Sequence, residues 1–154
     1  MGFHLSLNTE TLDAVYPKTP LVVESELPVS DALRLMKAER SGSLLVCRDG
    51  VLVGIFTERD ALRLMAAAAD LQVAIAQVMV AAPVTVEAHQ SVAHAIRTMS
   101  HGGYRRLPVV DKEGRPVGVI VVTGIVHFLV EHFPETVYNL PPQPEPMTQD
   151  REGA

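Results

Sequence analysis

The chain has 154 residues, 47% of them hydrophobic and 20% charged, with no Trp and one cysteine, Cys47. That apolar content excludes an intrinsically disordered chain, and a single cysteine excludes an internal disulfide and a cysteine-based zinc cluster. The net charge of −5 is uneven, because residues 131–154 hold five acids against one base while residues 1–130 hold 13 acids and 12 bases; so neutral a body lacks the broad basic footprint of a nucleic-acid binder.

Residues 1–16 form a lead-in with no basic stretch followed by an apolar run, so no signal peptide is expected there. A short strand is expected at 21–23, then a polar turn and an amphipathic helix with Ser30 as N-cap, carrying Ala32, Leu33, Leu35 and Met36 at helical spacing. Two β-rich runs follow, 44–47 and 51–56, and Arg48-Asp49-Gly50 between them has the chemistry of a tight hairpin. A helix at 58–69 is apolar over more than one face, more than its own sheet would cover.

The same series then recurs. It comprises a strand at 84–86, a helix opened by Gln90 or Ser91 and carrying Val92, Ala95, Ile96 and Met99, β-runs at 107–110 and 117–122 around a turn at 111–114, and a helix at 124–132 capped by Thr123. Five of the eleven prolines lie in residues 134–154, which read as an extended acidic tail. Its apolar lead, Phe133, Val137, Tyr138 and Leu140, suggests that residues 133–142 lie along the body of their own or the neighbouring subunit. The longest uncharged stretches, 71–86 and 116–130, have 16 and 15 residues, short of the roughly 18–20 that span a bilayer. A soluble, cytoplasmic protein is the expectation.

A shift of 63 residues superimposes the two series. Val23 meets Val86, Val29 meets Val92, Ala32 meets Ala95, Met36 meets Met99 and Leu44 meets Leu107. One extra residue near Asp111 moves the offset to 64, and Gly50 and Gly54 then meet Gly114 and Gly118. The chain is thus two copies of a β-α-β-β-α unit, 17–77 and 78–133, in an α+β fold. Each copy is too small to bury a proper core alone, so the two are expected to pack with pseudo-twofold symmetry.

The residues at the end of the third strand carry a family resemblance. Gly54-Ile55-Phe56-Thr57-Glu58-Arg59-Asp60 fits the G-h-x-[ST]-x-x-D signature of cystathionine-β-synthase-type (CBS) domains, and Tyr104-Arg105-Arg106-Leu107-Pro108-Val109-Val110-Asp111 resembles the run that leads into their middle strand. The resemblance implies a regulatory module, often dimeric, whose cleft between repeats binds an adenosine-containing ligand, here AMP, ADP or ATP. Asp60 would read the ribose hydroxyls, and Thr57 and Arg59 would stand at a helix N-terminus suited to phosphate. Gly54 would let the backbone approach a ligand or a neighbouring strand, and Ile55 and Val84 would flank the base. By the same resemblance Arg105 and Arg106 of the second copy would reach the phosphates; adjacent residues of a strand point to opposite faces, so one of the two should enter directly. Read without the resemblance, Thr57-x-x-Asp60 is a capping box with Asp in place of Glu.

The second copy departs from the signature. Val121 stands opposite Thr57 and Gly124 opposite Asp60, so a second site would be empty or weak. S-adenosylmethionine is less favoured, since its cationic groups gain nothing from an arginine pair. The histidines show no paired metal spacing, and His127-x-x-x-Glu131-His132 reads as a helix end, so neither metal nor catalysis is expected. The alternative function is a constitutive dimerisation or partner-docking scaffold with a degenerate site. A homodimer is expected through helices 58–69 and 124–132, with Leu62, Met65, Ile125 and Leu129 as their surplus apolar surface.

Overall fold

The computed structural model describes residues 7–15 and 18–132, and the expected docking of residues 133–142 lies outside them. The first unit comprises β1 (Val22–Glu24), α1 (Val29–Glu39), β2 (Ser43–Arg48), β3 (Val51–Thr57) and α2 (Glu58–Ala66). A short strand, β4 (Val80–Ala81), follows it. The second unit comprises β5 (Val86–Glu87), α3 (Val92–Gly102), β6 (Arg106–Val110), β7 (Pro116–Val121) and α4 (Val122–His132). Two sheets result, ordered β1-β2-β3-β4 and β5-β6-β7, each opening with a parallel pair and continuing antiparallel.

The hairpin between β2 and β3 turns on Asp49 and Gly50, with φ of 54° and 80°. Positive φ at both central residues matches the right-handed twist of the flanking strands, and Asp-Gly tolerates it best. In the second unit Asp111 builds the turn instead: its Oδ1 accepts from the Glu113 and Arg115 backbone N–H groups, both at 2.9 Å. The Leu52 N–H then donates to the Gly114 carbonyl at 3.0 Å, tying one hairpin to the other.

Each unit has its own core. Val23, Val29, Ala32, Met36, Leu44, Val46, Phe56 and Ala61 bury together in the first. Their counterparts Val86, Val92, Ala95, Met99, Leu107, Val109, Ile120 and Ile125 do so in the second. The remaining pair crosses over. The division at 77 assigns Ile75 to the first copy, but the 63-residue register pairs it with Leu12 of the lead-in. Ile75 lies in a one-turn 3-10 helix (Ile75–Gln77) that leads into the second unit and is fully buried in the first core. Leu12, 63 residues earlier and in the 3-10 helix Leu12–Val15, is fully buried in the second. Edge pairing follows the same rule: β4 pairs with β3, and Lys18 bridges Val119 of β7. Each unit is completed by the segment that precedes the other.

The crossover corrects the expected cap of α1. Pro28, not Ser30, is its N-cap, and the Val29 and Ser30 amides donate to the carbonyls of Val73 and Leu71 at 3.0 and 2.9 Å. Backbone from the crossing segment satisfies donors that a side chain would otherwise cap. In α3 the expected cap is present, with Ser91 Oγ accepting from the His94 N–H at 3.1 Å. Helix α2 stops at Ala66, three residues short of expectation, because Ala68 turns left-handed (φ 51°) and the Ala69 N–H reaches back to the Leu64 carbonyl. That reversal sends Leu71 and Val73 back against the first core. Thr123 lies inside α4, which starts at Val122.

Candidate functional site

The signature lies where β3 runs into α2. Thr57 closes β3 opposite Ser43 and is the N-cap of α2 in extended conformation (φ −126°, ψ 171°). Its backbone N–H and its hydroxyl both donate to Asp60 Oδ2, at 2.9 and 3.1 Å. The capping box is therefore present. It engages one carboxylate oxygen, and among the described residues Oδ1 accepts no hydrogen bond. The box fixes a half-buried acid at the helix start and leaves it able to accept more.

Across from this junction stands Arg106, the first residue of β6. A Cβ placed on Gly42 would lie 2.9 Å from Arg106 Nη2, 3.0 Å from Glu58 Oε1 and 3.2 Å from Glu58 Cδ. The guanidinium of the second unit thus occupies the space that glycine leaves open in the first. The Glu58 N–H donates to the Gly42 carbonyl at 3.1 Å, so Gly42, Glu58 and Arg106 form one contact at the start of α2. Arg105 is exposed and precedes the strand; its carbonyl accepts from the Val122 N–H at 2.9 Å, the counterpart of the Gly42–Glu58 bond. Of the two arginines the structure brings one to Asp60's helix.

The other expected residues divide. Ile55 is half-buried in β3 between Leu45 and Val80, and Arg59 is exposed on α2. Val84 is 40% exposed and lies outside any strand. Gly54 makes room for a packed side chain: a Cβ there would run into Met79, with Sδ nearest and Cγ at 2.7 Å. Gly54 is therefore a packing requirement of the crossing segment. Residues missed by sequence reasoning are Gly42, Glu58 and Val80. Gly42 opposite Arg105, and Ser43 opposite Arg106, in the repeat alignment were the available signal, a small residue in one copy where the other is large.

The second junction is different in kind. A cavity of about 270 Å³ opens there, lined by Val15, Lys18, Val121, Thr123, Gly124, His127, Phe128 and Glu131. No carboxylate stands at the Asp60 position, where a Cβ placed on Gly124 would lie 3.6 Å from Val121 Cγ2. His132 closes α4, with Nδ1 3.1 Å from the Phe128 carbonyl and its ring stacked on Phe128 at 4.2 Å. Among the described residues no three His, Cys, Asp or Glu side chains gather as metal ligands, and no helix is long and apolar enough to cross a membrane. Cys47 is buried in β2; burial first, and the Glu24 carboxylate second, push its thiol up, which disfavours the nucleophilic thiolate.

Comparison with known proteins places this geometry. The CBS domain family model matches residues 13–67 and again 75–131. The CBS domain-containing protein YhcV of Bacillus subtilis is 35% identical over 95 residues, 61% of this chain and 67% of that protein. Inosine-5′-monophosphate dehydrogenase of Mycobacterium tuberculosis is 38% identical over 87 residues, 56% of this chain and 16% of the enzyme. Among solved structures, CBSX2 in complex with AMP has a TM-score of 0.67 at 25% identity, covering 79% of this chain and 97% of that one. The cytosolic domain of the Mg2+ channel MgtE in complex with ATP has a TM-score of 0.61 at 26% identity, covering 70% and 44%. Two family matches in tandem, on two units that exchange their leading segments, make this chain a member of the CBS domain family with a pair of CBS repeats.

Proposed function

We propose that the chain is a regulatory module, without catalysis of its own, that binds one adenosine nucleotide (AMP, ADP or ATP) at the junction of β3 and α2. The observation that carries this reading is the placement of Arg106, from the second repeat, against Gly42 and Glu58 at the helix whose capping acid is Asp60. Asp60 accepts from the ribose, Thr57 holds Asp60 in place through its two donors, Arg106 holds phosphate, and Ile55 with Val80 lines the base. Complexes of CBSX2 with AMP and of the MgtE domain with ATP support the ligand class. Arg59 contributes long-range charge, and Arg105 and Val84 lie at the margin.

The rival reading, a dimerisation scaffold, draws on the engagement of Asp60 Oδ2 in the capping box and on exposed apolar side chains of the closing helices. Leu62 and Met65 on α2 are 68% and 55% exposed, and Val126 on α4 is 54% exposed. Of the four residues expected on that surface, Ile125 is buried and Leu129 packs on the second core, since α4 turns that stripe inward. Leu62 and Val126 hold equivalent positions, so both helices present an apolar patch suited to a second copy. We infer a homodimer through this face; sedimentation at the monomer mass of 16.7 kDa would exclude it.

A thermal-shift series with adenosine, AMP, ADP and ATP tests the ligand reading. At about 100-fold over Kd a ligand adds about 2.7 kcal/mol of stability, a rise of several degrees. No rise with any of the four leaves the scaffold.

A further inference from the structure

We propose that Glu58 limits the charge of the ligand this site accepts, admitting a nucleoside monophosphate and resisting added phosphates. The inference rests on the adenosine reading above and goes beyond it by naming a residue that discriminates. Glu58 opens α2, at the end of the helix where a bound phosphate would approach, and its side chain reaches toward Gly42. There its Oε1 and Arg106 Nη2 flank the same point, 3.0 and 2.9 Å from the place of a Gly42 Cβ.

They are neighbours without being partners. Among the described residues no ion pair within 4.0 Å joins them, whereas Arg34 with Asp31 and Arg115 with Asp111 do pair elsewhere in the chain. The Glu58 charge is therefore not cancelled by direct contact, and it stands beside the guanidinium that the second repeat delivers to the junction. The Glu58 amide adds no compensation, since it already donates to the Gly42 carbonyl. A single phosphate finds Arg106, since the Thr57 hydroxyl already donates to Asp60. Each further phosphate adds negative charge within reach of the Glu58 carboxylate, and like charges at such separations repel. In the second repeat the equivalent of Glu58 is Val122, so this fixed negative charge belongs to the junction that holds Asp60.

Isothermal titration of the full chain and of Glu58→Gln with adenosine, AMP and ATP, without divalent cations, tests the proposal. Adenosine binding measures the site itself and should be equal in both proteins within about twofold. The ratio of ATP to AMP affinity measures Glu58, and it should rise about three- to tenfold in Glu58→Gln at low salt. The rise should shrink at about 0.5 M salt, where screening removes interactions between exposed charges. Glu58→Asp, which keeps the charge on a shorter arm, should retain the wild-type preference in large part. An unchanged ratio in Glu58→Gln, with adenosine still bound, overturns the role of Glu58 and leaves the site standing. Failure of the wild type to bind any of the three overturns both.

Discussion

The two repeats agree in their cores and disagree where β3 and β7 run into their helices. Position for position, Val23, Val29, Ala32, Met36 and Leu44 are buried like Val86, Val92, Ala95, Met99 and Leu107. At the junctions Thr57 and Asp60 face Val121 and Gly124, while Gly42 faces Arg105. The pseudo-symmetry explains why the differences are coupled. Arg106 fills the space beside Gly42, so a long side chain at position 42 would compete with the guanidinium for one volume. A small residue in one repeat and a cation in the other is a packing solution, and it concentrates carboxylate and guanidinium at a single junction. Cores tolerate duplication because burial is indifferent to ligand; the junctions are free to diverge.

The comparison predicts a graded set of outcomes. The largest concerns Asp60→Ala, which should weaken adenosine and its nucleotides alike by about ten- to a hundredfold, or about 1.5–3 kcal/mol, by calorimetric titration. Its folding cost, through the lost half of the capping box, should stay near 1 kcal/mol. Equal binding in the variant would make Asp60 a cap alone and erase the functional difference between the junctions. Next, Arg106→Ala should spare adenosine and weaken AMP by about fivefold or more, whereas exposed Arg105→Ala should change AMP affinity less than twofold. The reverse order would mean that the wrong arginine has been assigned to phosphate. The smallest concerns stability. Arg40 and Gly103 end α1 and α3 at equivalent positions, both left-handed, with φ of 53° and 70°. Arg40→Gly should relieve about 0.5–1 kcal/mol of backbone strain, a rise of about 1–4 °C in Tm.

Local patterns carried most of the fold. Alternation and helical spacing located the strands and helices of both copies, and Asp49-Gly50 announced its turn, because these features depend on neighbours within a few residues. Ser91 capped α3 as its chemistry suggests. Ser30 did not cap α1, because the helix starts two residues earlier, where the Val29 and Ser30 amides meet carbonyls some forty residues away, and no local signal encodes that. The burial of Leu12 and Ile75 was missed for a related reason. Each sits in a single 3-10 turn without amphipathic period, and only their 63-residue separation marks them as equivalents. At the site, Asp60 and Thr57 stood out by motif. Glu58 did not, since a glutamate at the first position of a helix reads as an ordinary favourable charge beside the dipole. Its setting appears only once Arg106 and Gly42 arrive from other parts of the chain.

The exchange of leading segments bears on how such a chain came to be doubled. A single copy of the unit would own both a plug (Leu12 or Ile75) and the socket that receives one, yet in this architecture a plug seats in the other copy's socket. A lone ancestral copy could satisfy its socket only by trading plugs with a second molecule, as domain-swapped dimers do. Fusing the two genes end to end would turn that trade into an intramolecular one, removing its dependence on concentration. Once fused, the copies no longer had to be identical. One of them was free to keep the acid while the other supplied the arginine.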